Sequence, residues 1–527
     1  MHKRIRITLA TTCALLAVAA CTDPTVAPKS TVSSANIFNE EGSYQAFLAR
    51  VYSGLAVTGQ TGPAGNADIS GIDEGFSQYL RLLWQMEELP TDEAAIAWND
   101  QGVQELNTQL WSSSNQFLNS MYYRIYFQVG MANEFLRETS DAKIASRNVS
   151  AGTKAKIPGY RAEARFLRAL SYWHGIDLFG PIPIVTEADA VGKTPPLQKT
   201  RAEVFNYVVS ELTAIRNTLP PVGAAEFGRV DQGAVAMLLA KLYLNAAVYT
   251  GTTRWSEART EAANVIAGPY SLDPNFLRLF STDNGKSKEF IFAVPQDGKK
   301  IQSFGGTTFL VHASVGGSMN ASSFGINGGW YGLRLKPEIV ASFPNGGGPT
   351  TSDKRSSYFY SDGQALQMTN LTDFSKGIGG PKYRNVSSTG EPGQDQTFSD
   401  VAYPMFRLAD AYLMYAEAVL RGGGGTRAEA LNYMNALRAR AYGNTSGNIT
   451  DAQLTLDFIL AERGRELLWE GHRRQDLVRY GQFSKAGVWS WKGNVVAGKV
   501  TEGFRDLYPL PASELIANWN LKQNAGY

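Results

Sequence analysis

The chain of 527 residues is poor in cysteine: it has two, Cys13 and Cys21, both near the start. That excludes a disulfide-stapled scaffold and a cysteine metal cluster in the body. Charge of one sign is also lacking. Lys+Arg number 50 and Asp+Glu 48, a formal charge of +2, so no bulk electrostatic attraction to nucleic acid or an acidic surface is available. Histidine is scarce. Beyond His2 there are His174, His312 and His472, far apart and without metal-ligand spacing, and each reads as a core or surface residue. No Gly-Lys-Ser/Thr phosphate loop and no nucleophile elbow occur. No alternation of strands and helices suggests a catalytic barrel. Past the first twenty residues no apolar run is long enough to span a membrane. These absences remove metal, phosphate-transfer and acyl-transfer chemistry from the leading readings.

At the start stands an address. Lys3, Arg4 and Arg6 form a basic head, and residues 7–20 are almost wholly apolar or small, as in a secretory signal peptide. The run ends in Val18-Ala19-Ala20-Cys21, which resembles a bacterial lipobox. Residues 1–20 are therefore expected to be a lipoprotein signal peptide, Cys21 the lipidated residue, and residues 21–34, polar with two prolines, a tether. Residues 35–527 read as one domain. At 43% hydrophobic and 19% charged, this body can bury a large core. Its 10 Trp and 24 Tyr lean towards a binding surface.

The fold class expected is mostly all-α. Capping boxes at Thr200-x-x-Glu203, Thr426-x-x-Glu429 and Thr450-x-x-Gln453 mark helix starts. Residues 239–244, a turn near Thr250-Gly251 and Glu257-Ala258 form one helical hairpin; residues 408–413, Gly422 to Gly425 and Glu429-Ala430 form a second; residues 162–167 with the helix after Thr200 form a third. Their small residues at the crossings suggest a tetratricopeptide-like array. Between about 273 and 403 Gly, Ser, Thr and Asn dominate, predicting a large loop-rich insertion with a few short strands, of the kind that carries function.

Four segments then bear a family resemblance. Residues 161–187 read RAEARFLRALSYWHGIDLFGPIPIVTE; the stretch around 407–440 holds FRLADAYLMYAEAVLRGG and then NALRARA; residues 462–481 read ERGRELLWEGHRRQDLVRYG; and residues 507–511, LYPLP, lead to a closing N-x-x-L-x-Q-N-x-G-Y. In this order, after a lipobox, they resemble the SusD/RagB family over nearly the whole chain. Physics alone reads the 462–481 run as an ion-pair network that ties this helix to the body, and Phe179-Gly180-Pro181 as a helix stop.

Residues 72–111 and 323–330 resemble the starch-binding member that gives the family its name, through ELPTDEA (88–94), AWND (97–100) and SFGINGGW (323–330). The resemblance implies aromatic rings stacking on the C–H face of a sugar, with polar groups on its hydroxyl rim. It assigns Trp98 and Trp330 as platforms, Asp73, Arg81, Gln101 and Asn99 as hydroxyl partners, and Phe304 or Phe309 as a third aromatic. It further implies an outer-membrane, lipid-anchored, surface-exposed protein that is no enzyme. Such a protein captures oligosaccharides, an α-glucan first, and works with a SusC-like TonB-dependent transporter and no nucleic acid. No cofactor is implied, and calcium binding is left open. Another cargo on the same scaffold, a scaffold lipoprotein without a ligand and, more remotely, a hydrolase are the alternatives. An Asp73/Arg81 ion pair without function is the plain reading of that spacing.

Overall fold

The computed structural model describes Phe38, residues 41–192 and residues 194–527. The signal peptide, Cys21 and the tether lie outside the described residues. The structure is 47% helix and 6% strand, so the mostly α expectation holds. No described helix is long and apolar enough to cross a membrane.

The helices that build the body are α1 (Glu41–Ser53), α2 (Tyr79–Glu88), α3 (Gln116–Glu138), α4 (Ala151–Leu178), α5 (Arg201–Ile215), α6 (Gln232–Leu244), α7 (Trp255–Ile266), α8 (Gly306–Ala313), α9 (Leu408–Leu420), α10 (Arg427–Tyr442) and α11 (Leu456–Glu466). They stack in chain order. α3 packs on α4 and α4 on α5; α6 packs on α7, α7 on α9 and α9 on α10. Close approach is possible because the crossings are lined by small residues: Ala236, Ala240, Ala258, Ala262, Ala416 and Ala430 are fully buried. Thr200 and Thr426 close their capping boxes as predicted. The Thr450 box closes too, but on a single 3₁₀ turn, Asp451–Gln453. The α-helix there starts later, at Leu456, with Thr455 accepting from the N–H of Phe458. α4 stops at Leu178, and Gly180 at φ 74° turns the chain.

Between α7 and α9 the hairpin array is interrupted by the long excursion. It contributes β4 (Phe290–Val294), β5 (Leu333–Leu335) and β6 (Ile378–Gly379) to sheets completed by β1 (Ala94–Ile96) and β7 (Tyr403–Arg407); β2 (Ile182–Pro183) and β3 (Gln198–Lys199) pair separately. β4 and β7 are antiparallel and hold the two ends of the excursion together. β1 runs antiparallel to β5, with Ile96 opposite Leu333, and this pairing positions the site described below.

The 462–481 run is a buried ion network. Arg355 bonds Asp353, Glu462 and Glu466, and Arg407 bonds Glu289, Glu466 and Glu470, all with side chains at most 1% exposed. Arg463 bridges Asp410 and Asp476, and Arg479 bridges Glu417 and Asp476. Charges buried to this degree are tolerated because each is paired and hydrogen-bonded.

Candidate functional site

The β1–β5 register sets the geometry. One step beyond the strand ends, the N–H of Ala97 donates to the carbonyl of Gly332 at 2.8 Å. The next step brings Trp98 alongside the 330–331 segment, where its indole N–H donates to the carbonyl of Trp330 at 2.8 Å. A Cβ on Gly332 would stand 2.8 Å from the Trp98 ring, so the absence of a side chain there is what lets the indole lie against the loop. The loop itself is laid on the end of α8: the N–H groups of Trp330 and Gly332 donate to the carbonyls of His312 and Ala313.

Gln78, the N-cap of α2, fastens the other wall. Its Oε1 accepts from the N–H of Arg81 at 2.7 Å and of Gly306 at 2.9 Å, and its Nε2 donates to the carbonyl of Leu55 at 2.7 Å. One buried amide thereby ties the first turns of α2 and α8, which carry Arg81 and, just upstream, Phe304.

The result is an open cavity of about 460 Å³ lined by Asp73, Glu74, Phe76, Arg81, Trp98, Asp100, Phe304 and Trp330. Five of the seven residues singled out in the sequence therefore meet in one place. Trp98 and Trp330 are partly exposed, their ring centroids 6.3 Å apart at 45°, and Phe304 lies 6.4 Å from Trp330 at 48°. The rings form a bent row rather than a flat stack. His312 lies beneath Trp330, stacked at 4.6 Å and 22°, with its two ring nitrogens facing the carbonyls of Gly328 and Thr397. Burial lowers its pKa, and its ring backs that of Trp330.

Arg81 is buried. Its guanidinium sits 4.3 Å from the centroid of Phe76, 4.4 Å from Phe309 and 5.4 Å from Trp98, and donates to the carbonyl of Phe304 at 3.3 Å. Burial pushes it down to about 9 against the pull of the Asp73 and Asp100 carboxylates. It forms no ion pair with Asp73, whose Oδ1 instead accepts from the N–H groups of Gly75 and Phe76 at 3.0 and 3.4 Å. The plain ion-pair reading of that spacing is thus corrected: Asp73 is exposed, locks its own turn and lines the cavity.

Asn99 and Gln101 are exposed but outside the lining. They sit on the turn into the short helix Val103–Thr108, and the carbonyl of Gln101 accepts from Gln116. Phe309 is fully buried behind Trp98; of the two phenylalanines Phe304 is the one that lines the cavity. Glu74, Phe76 and Asp100 are lining residues that sequence reasoning left out. Asp100 stood two residues after Trp98 in the quoted motif, whereas Phe76 carries no signal that separates it from core.

ELPTDEA does other work. Glu88 accepts from the N–H groups of Gly471 and His472, Glu93 from that of Trp469, and Asp92 pairs with Arg473. The motif clamps the 469–473 segment and does not face the cavity.

A larger cavity of about 600 Å³ lies between α1 and residues 292–302. Its two arginines are already committed, Arg50 to Asp68 and Arg229 to Glu163, and its one well-exposed ring is Phe227. It offers volume without a row of rings, so the smaller cavity is the better candidate. Among the described residues, no group of three His, Cys, Asp or Glu side chains is placed to hold a metal ion.

Comparison with known proteins bears on this geometry. Residues 268–527 match the model of the SusD family, and residues 79–244 match a family described as starch-binding and associating with the outer membrane. The chain is 33% identical over 529 residues to the starch-binding protein SusD of Bacteroides thetaiotaomicron, covering 92% of each, and 25% identical over 457 residues to SusD-like protein P2 of Formosa agariphila, covering 81% of this chain and 85% of that protein. A solved SusD homolog from Bacteroides thetaiotaomicron superposes with a TM-score of 0.74 at 20% identity, covering 94% of this chain and 98% of that one. Surface glycan-binding protein A of the same organism, solved with laminarihexaose, gives 0.70 at 19% identity, covering 92% and 99%. At those identities the two structures speak for the fold.

Proposed function

The chain belongs to the SusD family, and from that premise we propose that it captures α-glucan oligosaccharides of the starch type at the cell surface and hands them to a SusC-like TonB-dependent transporter in the outer membrane. The observation that carries this is the cavity in which Trp98, Trp330 and Phe304 line one side and Asp73, Glu74 and Asp100 supply carboxylates beside them. A curved α-glucan presents C–H faces that pack on a bent row of rings, and a hydroxyl rim that carboxylates can bridge in pairs. The 33% identity to a starch-binding relative supports starch over other glycans.

The resemblance to that family and the motif ending in Cys21 support a lipid-anchored place on the outer membrane, with residues 21–34 as the tether. The reading is of capture without bond cleavage and requires no cofactor.

Affinity electrophoresis through amylose tests it. The wild-type domain is expected to be retarded, and Trp98→Ala and Trp330→Ala to lose roughly tenfold or more in affinity, the loss of about 1.4 kcal/mol or more per platform. Equal retardation of all three would remove the assigned site; retention by laminarin and not by amylose would keep the site and change the glycan.

A further inference from the structure

Immediately after Trp330, Tyr331 is 52% exposed and holds a φ of 54°. A residue with a Cβ is disfavoured in that left-handed region, and strain of this kind clusters where a protein must aim a side chain. The surroundings are cut to fit the ring. A Cβ on Gly316 would stand 2.8 Å from it, and Phe374 supports it edge-on at 5.5 Å and 65°. The backbone N–H of Tyr331 donates to the carbonyl of Val315 at 3.1 Å, so the strained residue is held on both sides. Two residues past Gly316 in the chain, the hydroxyl of Ser318 lies 3.0 Å from Tyr360 Oη and 3.0 Å from Asp362 Oδ2. This exposed hydroxyl–carboxylate group resembles the rim of the first cavity in chemistry. None of these residues lines that cavity, yet Tyr331 and Trp330 are neighbours along one strand-end loop, about 3.8 Å apart at Cα.

We propose that Tyr331, with Ser318, Tyr360 and Asp362, is an extension subsite for the sugar units of a longer α-glucan that run past the Trp98–Trp330 row. It rests on the reading of that row as a glycan site. Its consequence is a dependence of affinity on chain length: a short oligosaccharide fills the row alone, and a longer one also covers the Tyr331 ring.

Isothermal titration with maltotriose and maltoheptaose tests it on wild type, Tyr331→Gly and Tyr331→Phe. Glycine removes the ring and suits the positive φ, so the folded chain is not put at risk. Wild type is expected to bind maltoheptaose more tightly than maltotriose. Tyr331→Gly is expected to weaken maltoheptaose by roughly three- to tenfold with maltotriose unchanged, and Tyr331→Phe to behave as wild type. Unchanged maltoheptaose affinity in Tyr331→Gly, or an equal loss for both sugars, overturns the subsite while the Trp98–Trp330 site stands. Wild type that binds neither sugar overturns both.

Discussion

Of the residues that build the cavity, Gly332 and Gln78 are as consequential as the rings, though neither is a binding group. Gly332→Ala would drive a methyl to within 2.8 Å of the Trp98 indole, closer than packed atoms sit, so the ring must shift. The expected outcome is a loss of amylose affinity of roughly three- to tenfold, with a melting temperature within a few degrees of wild type; unchanged affinity would show that the indole does not need its present seat. The meeting of Trp98 and Trp330 in one cavity was legible in the sequence because the resemblance is carried by short motifs around them. Glu74 and Phe76 were not legible, because a lining role depends on where a turn places a side chain. Asn99 and Gln101 lie outside the lining for the same reason: closeness to Trp98 in sequence does not fix where a side chain is placed.

At the level of elements, periodicity and caps disclosed the hairpin array, since each helix buries a stripe that its own sequence displays. The β1–β5 pairing was not legible; it joins segments some 240 residues apart, and three-residue strands leave no alternation to read. ELPTDEA shows a motif whose residues were recognised and whose task was not. Two of its carboxyls are buried: burial raises the pKa of Glu88 and of Glu93, and the charge of Glu93 raises Glu88 further, while the hydrogen bond between the two lowers Glu93. Opposite in sign is Glu462, which burial would raise but Arg355, Arg465 and Arg438 hold down at about 2. A raised folded pKa gives stability that is present at low pH and lost as pH climbs above the unfolded value of 4.5; a lowered one gives stability that is lost as pH falls from 4.5 towards 2. The melting temperature is therefore expected to fall on both sides of the mildly acidic range. Glu93→Gln, which mimics the protonated acid, is expected to flatten the fall between about pH 5 and about pH 8 in a thermal-melt series. A fall as steep as that of wild type would contradict a raised pKa at Glu93.

Over the whole molecule, the array of helices serves as a frame for one irregular excursion, which β4 and β7 close at its base. Ion pairs buried along 462–481 lock this frame, and the sequence announced them by charge density alone. The excursion returns to β1 and α2 to complete the cavity, so a site read in two distant stretches is one site. How the molecule is held at the surface belongs to the same scale. Cys21→Ser is expected to move the protein from the membrane fraction to the soluble fraction while leaving amylose binding unchanged; continued membrane retention would contradict lipidation at that residue.

A co-crystal with maltoheptaose shows directly whether sugar lies on the bent row of rings: sugar rings are expected to pack on Trp98 and Trp330, with hydroxyls towards Asp73 and Asp100. Maltoheptaose seated instead in the larger cavity between α1 and residues 292–302, with the row of rings bare, would contradict it.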